Sequence, residues 1–109
     1  MAEKKITAAN FEQEVLRASG TVLLDFWAPW CGPCRMLGPE LSALAETHEG
    51  SLTVGKVNVD EEGELAARFG IASIPTLILF RNGAPVAQQI GFVPRAQLED
   101  FIRTPDRQA

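Results

Sequence analysis

The chain has 109 residues, 46% of them hydrophobic and 22% charged, with a net charge of −4. That is enough for one compact domain over 1–109 with a real core, and disorder is not expected. The acidic balance, with no cluster of Lys or Arg, argues against nucleic acid or an anionic membrane as partner. No run approaches the ~18 apolar residues of a membrane span, and Met1-Ala2-Glu3-Lys4-Lys5 leads into no signal-peptide core.

In chain order, Lys4-Lys5-Ile6-Thr7 reads as a short edge strand. Asn10 with Gln13 three residues on fits a capping box, and Phe11, Val15 and Leu16 form a helical stripe that Ser19-Gly20 ends. Thr21 to Ala28 is apolar on both faces, as expected of a strand inside a sheet, with Asp25 as the interruption. A second helix runs from about Pro33 to His48, with Met36, Leu37, Leu41, Leu44 and Ala45 at helical spacing. Pro39 predicts a kink near Arg35 to Pro39, and Glu49-Gly50 closes the helix. Leu52 to Val59 reads as the next strand, and Asp60 as the cap of a short helix carrying Leu65, Ala66 and Phe69 inward. Gly70 is placed to end it.

Up to this point the order is βαβαβα, which predicts parallel pairing. The pattern then changes. Thr76 to Phe80 is a strand, Arg81-Asn82-Gly83-Ala84 holds an Asn-Gly turn, and Pro85 to Ile90 returns as the hairpin partner. Pro94 opens a last helix with Leu98, Phe101 and Ile102 inward, and Pro105 stops it. The fold class is therefore α/β, a central mixed sheet covered by helices on both faces.

The only two cysteines stand in Trp30-Cys31-Gly32-Pro33-Cys34, between a strand and a helix. A bridge closing so short a loop removes little unfolded-state entropy, so the pair's value is chemical. With the helix starting near Pro33, Cys31 sits at its N-terminus, where free N–H groups and the helix dipole stabilise a thiolate. Cys34, one turn in, is more shielded. Cys31 is thus the expected nucleophile and Cys34 the resolving thiol. A zinc site needs more ligands than this. The one histidine, His48, lies about 20 Å or more away along the helix, out of reach as ligand or base.

Asp25-Phe26-Trp27-Ala28, Trp30-Cys31-Gly32-Pro33-Cys34, Pro39, Lys56-Val57-Asn58-Val59-Asp60, Ile74-Pro75-Thr76, Phe80-Arg81-Asn82-Gly83 and Gly91 together resemble the thioredoxin family of the Trp-Cys-Gly-Pro-Cys type, over nearly the whole chain. The resemblance implies a thioredoxin fold, a central mixed five-stranded sheet flanked by four helices. It implies a cis Ile74–Pro75 bond beside the cysteines. It also implies that Asp25 is buried beneath the pair and assists proton transfer at Cys34, with Lys56 as its neighbour. A carboxyl in an apolar strand has a raised pKa, as such work requires. The implied substrate surface is Trp30, Gly32, Pro33, Ile74, Pro75, Ile90, Gly91 and Phe92. Three positions depart from the family pattern: Arg35 where lysine is common, Gly38 beside Pro39, and Phe92 where a smaller residue is expected, which alters the clients that fit.

The implied activity is a protein-disulfide reductase cycling between a Cys31/Cys34 dithiol and disulfide. It acts on disulfide-containing client proteins as a monomer in the cytoplasm, without nucleic acid or membrane. No metal or organic cofactor is bound; electrons come from an external thioredoxin reductase, dependent on NADPH or ferredoxin. Two other readings stand beside it. One is a disulfide oxidant or isomerase outside the cytosol, against which Gly32-Pro33 and the missing signal segment count. The other is a binding or holdase module whose fold matters more than its thiols.

Overall fold

The computed structural model describes residues 3–106, so the reading of Met1-Ala2 and the ends of the 1–109 span lie outside the described residues. Five strands form one mixed sheet: β1 (Glu3–Lys5), β2 (Thr21–Trp27), β3 (Leu52–Asn58), β4 (Thr76–Arg81) and β5 (Ala84–Ile90). Their spatial order is β1-β3-β2-β4-β5. β3 pairs in parallel with both β1 and β2, while β4 is antiparallel to β2 and to β5. The parallel pairing expected of the first half therefore holds, with β3 inserted between β1 and β2. Three α-helices, α1 (Gly32–Thr47), α2 (Gly63–Arg68) and α3 (Arg95–Phe101), and one π-helical turn at Glu12–Leu16 supply the helical layers.

Strand alternation divides the core in two. Leu23 of β2, Leu52 and Val54 of β3, and Leu77 and Leu79 of β4 face Leu37, Leu41 and Leu44 of α1 and Leu98 of α3. Val22, Leu24 and Phe26, with Val57, Ile78 and Phe80, face Phe11, Val15 and Leu65 on the other side. There the ring of Phe69 lies 5.5, 6.0 and 5.8 Å from those of Phe11, Phe26 and Phe80. By the same alternation Asp25 falls on the Leu23 face, the one that α1 covers.

Several local expectations are corrected. Asn10 caps no helix: its Oδ1 accepts from Thr7 N–H at 2.8 Å and its Nδ2 donates to the Lys5 carbonyl at 2.9 Å. The turn that follows closes by Arg17 N–H to Glu12 O, an i to i+5 bond. Asp60 does not cap α2, which has Glu62 at its N-cap without a side-chain bond. Asp60 is bound to Trp30 instead. α1 spans Gly32–Thr47, one residue short of the expected end at His48, with Pro39 inside it. The last helix stops at Phe101, well before Pro105. The Asn-Gly turn forms as read, with φ of +52° at Asn82 and +84° at Gly83, the left-handed pair a two-residue hairpin needs.

Candidate active site

The strand-to-helix junction is built as the spacing predicts. β2 ends at Trp27, and Cys31 is the N-cap of α1 with extended backbone, φ −89° and ψ 116°. Its Sγ accepts the Cys34 N–H at 3.2 Å, one of the donors that a helix start leaves free. Its carbonyl takes Arg35 N–H at 3.1 Å, the first bond of the helix. Pro33 occupies the first turn, where its missing N–H is not needed. Cys31 and Cys34 are joined in a disulfide with Cα atoms 5.2 Å apart. Both residues are buried in this form, at 5 and 3% exposure, so the expected extra shielding of Cys34 is barely visible.

The cysteines pack with Ala28, against Trp27, Val59 and Ile74. Ile74–Pro75 is a cis peptide, as the resemblance implies. The Ile74 carbonyl oxygen lies 3.8 Å from Cys31 Sγ, and the Pro75 carbonyl accepts Gly91 N–H at 2.8 Å. Two backbone contacts thus bring three distant segments, 31–34, 74–75 and 90–92, to one place. Trp30 is 67% exposed, Ile90 56% and Phe92 39%, while Ile74, Gly32 and Gly91 are half-buried. Pro33 is exposed. Pro75 is buried, so it adds little exposed area to the surface implied above.

Asp25 is fully buried, paired across the sheet with Lys56 of β3 and Leu77 of β4. Lys56 Nζ sits 2.9 Å from Asp25 Oδ2 as an ion pair, and no other polar group satisfies either carboxyl oxygen among the described residues. Burial pushes the Asp25 carboxyl above its ordinary value of 3.8, and the Lys56 charge works against that rise without cancelling it. The same ammonium stands 5.5 Å from the centre of the Trp27 ring. Trp27 therefore connects the Asp25–Lys56 pair to the cysteine cluster.

Two partners around the site were not anticipated. The Trp30 indole N–H donates to the Asp60 carboxylate, 2.9 Å from Oδ2, and Asn58 Oδ1 accepts the Asp60 backbone N–H at 2.9 Å. Arg35 donates to the Pro29 carbonyl at 3.3 Å. Met36, assigned above to the apolar stripe, is 62% exposed. The stripe 37, 41, 44, 45 is complete without it, and the residue one step before Leu37 points about 100° away. That arithmetic was available in the sequence; the Trp30–Asp60 contact, between residues thirty apart, was not. His48 caps the far end of α1, with Nε2 2.7 Å from Glu99 Oε1, and takes no part here.

A disulfide at a helix N-cap beside a cis proline, with a buried carboxyl in the strand that leads to it, in a β1-β3-β2-β4-β5 sheet, defines a thiol–disulfide oxidoreductase of thioredoxin fold. The family model described as Thioredoxin matches residues 2–104. The chain is 54% identical over 98 residues to "Thioredoxin" of Alicyclobacillus acidocaldarius subsp. acidocaldarius, covering 90% of this chain and 92% of that one. It is 50% identical over 102 residues to "Thioredoxin" of Porphyra purpurea, covering 94 and 95%. To "Thioredoxin 1" of Nostoc sp. it is 47% identical over 101 residues, covering 93 and 94%. The chain belongs to the thioredoxin family.

Proposed function

We propose that the chain reduces disulfides in client proteins and is itself re-reduced by a thioredoxin reductase drawing on NADPH or ferredoxin. The observation that carries the reading is Cys31 at the N-cap of a sixteen-residue helix, its sulfur receiving a backbone N–H. A thiolate there is favoured by the same donor and by the helix dipole. In the dithiol form the Cys31 thiolate attacks one client sulfur, forming a mixed disulfide and releasing the other as a thiolate. Cys34 gives its proton to the Asp25 carboxylate and attacks Cys31 Sγ. That step releases the second client thiolate and leaves the Cys31–Cys34 bridge. Two electrons pass to the client, and protons complete its thiols. Lys56 holds the Asp25 charge when it forms.

No bound metal or organic cofactor enters this scheme. Both cysteines are used by the redox pair, so none is left for a structural staple, which fits a reducing cytoplasm. A monomer suffices, because each chain holds both thiols.

Two measurements test the proposal together. Reduced Cys34→Ser protein accumulates a mixed disulfide with a disulfide-containing client, while Cys31→Ser accumulates none. Equilibration in thiol buffers, followed by tryptophan fluorescence, gives a potential near the roughly −270 mV known for thioredoxin itself. A value close to about −120 mV, that of a strong oxidant, moves the protein to the disulfide-forming class.

A further inference from the structure

The α1 side of the sheet carries a row of charge across three strands. Asp25 of β2 is the direct Cα partner of Lys56 of β3, and Lys56 in turn is the partner of Lys5 of β1. Glu3 is the partner of Val54, whose side chain lies in the α1 layer, so by strand alternation Glu3, Lys5, Lys56 and Asp25 share that face. Glu3 is therefore a diagonal neighbour of Lys56, a separation that long side chains span. With β3 between the other two strands, Lys56 has a carboxyl on either side of it: Asp25, fully buried, and Glu3, half-buried.

Glu3, Lys5, Trp27, Lys56 and Glu61 line one cavity of about 420 Å³ beside β1. The Lys56 side chain is 22% exposed and leads from the buried carboxyl into this cavity, its ammonium 5.5 Å from the centre of the Trp27 ring. Lys5 is paired with Glu61 at 3.3 Å, and Lys4 with Glu14. Glu3 is thus the carboxylate of the cavity with no ion pair among the described residues. The other elements on this face bring no further charge: the buried side chains of α1 are aliphatic apart from Cys34, α3 buries Leu98, and β4 sets Leu77 opposite Asp25.

We infer that Glu3 is a positioning residue for the reaction: the Lys56 ammonium is shared between Asp25 and Glu3, and Glu3 takes it over when Asp25 holds the Cys34 proton. The inference rests on the reductase reading above. In the client-release step Cys34 gives its proton to the Asp25 carboxylate, which becomes neutral and leaves a part-buried ammonium without its counter-charge. An ammonium in such a place is costly unpaired, and Glu3 supplies a second partner across β3. When the proton passes from Asp25 to water, Lys56 returns. Glu3 also acts while Asp25 is ionised, because it draws on the same ammonium and adds a like charge. Both favour the protonated carboxyl and make Asp25 a better proton acceptor for a thiol.

The test follows the Asp25 carboxyl carbon by NMR against pH in the oxidised full chain, where neither cysteine titrates. Glu3→Gln is expected to move the Asp25 midpoint to lower pH, and Glu3→Asp, which keeps the charge, to hold it close to wild type. In a Lys56→Gln background the same Glu3→Gln change moves it less, because there is no ammonium left to share. In stopped-flow reduction of a peptide with one internal disulfide, the acidic limb of the client-release step moves with the midpoint. Circular dichroism verifies that each variant is folded. An unmoved midpoint in Glu3→Gln overturns the sharing, and so does an equal shift in both backgrounds, which a distant charge acting alone would give. A wild type that reduces no disulfide peptide overturns the reductase reading, and the midpoints then still decide whether Lys56 is shared.

Discussion

Asp25 is the buried charge-bearing group of the sheet among the described residues, and its position bears on stability as well as on the proposed chemistry. Its carboxyl has left water, and its ion-pair partner among the described residues is Lys56. With Asp25 taking the Cys34 proton as proposed, Asp25→Asn is expected to slow the step that releases the client by about a hundredfold at pH 7, the low end of general acid–base effects. Stopped-flow reduction of a disulfide client reads this directly. The same change is expected to stabilise the fold at neutral pH, because an unpaired amide is less costly to bury than a carboxylate. Below 3.8 the carboxyl is protonated in folded and unfolded chains alike, and the two proteins differ little. As pH rises through that value the unfolded chain ionises first, so wild type loses stability until the raised folded pKa is passed. Denaturant titrations of both proteins across pH should show a gap that opens above 3.8 and then becomes constant. A gap that closes with rising pH contradicts the assignment.

Elements are held at their working distance by a few contacts that periodicity does not encode. β3 fits between β1 and β2 because residue 55 is glycine. A Cβ there would stand 2.7 Å from Ile6 Cγ1 and 2.9 Å from Leu24 Cδ1, in the layer facing away from α1. Gly55→Ala is expected to destabilise by about 1–3 kcal/mol, the usual cost of overpacking, as read by thermal or urea unfolding. The first two helices of the sequence reading prove unequal for a related reason. Leu37, Leu41, Leu44 and Ala45 supply α1 with a full buried stripe, so α1 persists through Pro39. The 12–16 segment buries only Val15 and makes a single π turn. Its stripe was legible in the sequence. Its length was not, because the Asn10 side chain, which suited a helix cap, closes the preceding loop instead.

Across the whole molecule the two ends of the chain order are joined by Arg81. From the end of β4 its guanidinium donates to the carbonyls of Thr104 at 2.6 Å and Ile102 at 2.9 Å, and its Nε to Thr21 Oγ1 at 3.3 Å. These carbonyls follow α3, where a helix leaves acceptors unsatisfied. Arg81→Ala is expected to cost about 1–3 kcal/mol, since it orphans acceptors that are partly buried. Hydrogen exchange should accelerate at residues 100–104, with the Cys31–Cys34 potential unmoved. A shifted potential would show that the carboxy-terminal segment acts on the redox pair.

The sequence by itself determined the chemistry and the class of fold. A strand run into Cys-Gly-Pro-Cys and a helical stripe can place Cys31 only at a helix start, and alternation in β2 puts Asp25 on the face of Leu23. The hairpin follows from Asn82-Gly83, whose backbone tolerates positive φ. These are local rules, acting over a few residues. Only the tertiary structure decided what faces what across long separations. It placed Asp60 on the Trp30 indole, the Ile74 carbonyl beside Cys31 and the Pro75 carbonyl on Gly91, and it left Met36 bare beside the site. Polar side chains such as Asn10 and Asp60 have several partners of similar worth nearby. Which partner each takes is settled by the packing of the sheet and helices around it, and no spacing along the chain carries that information.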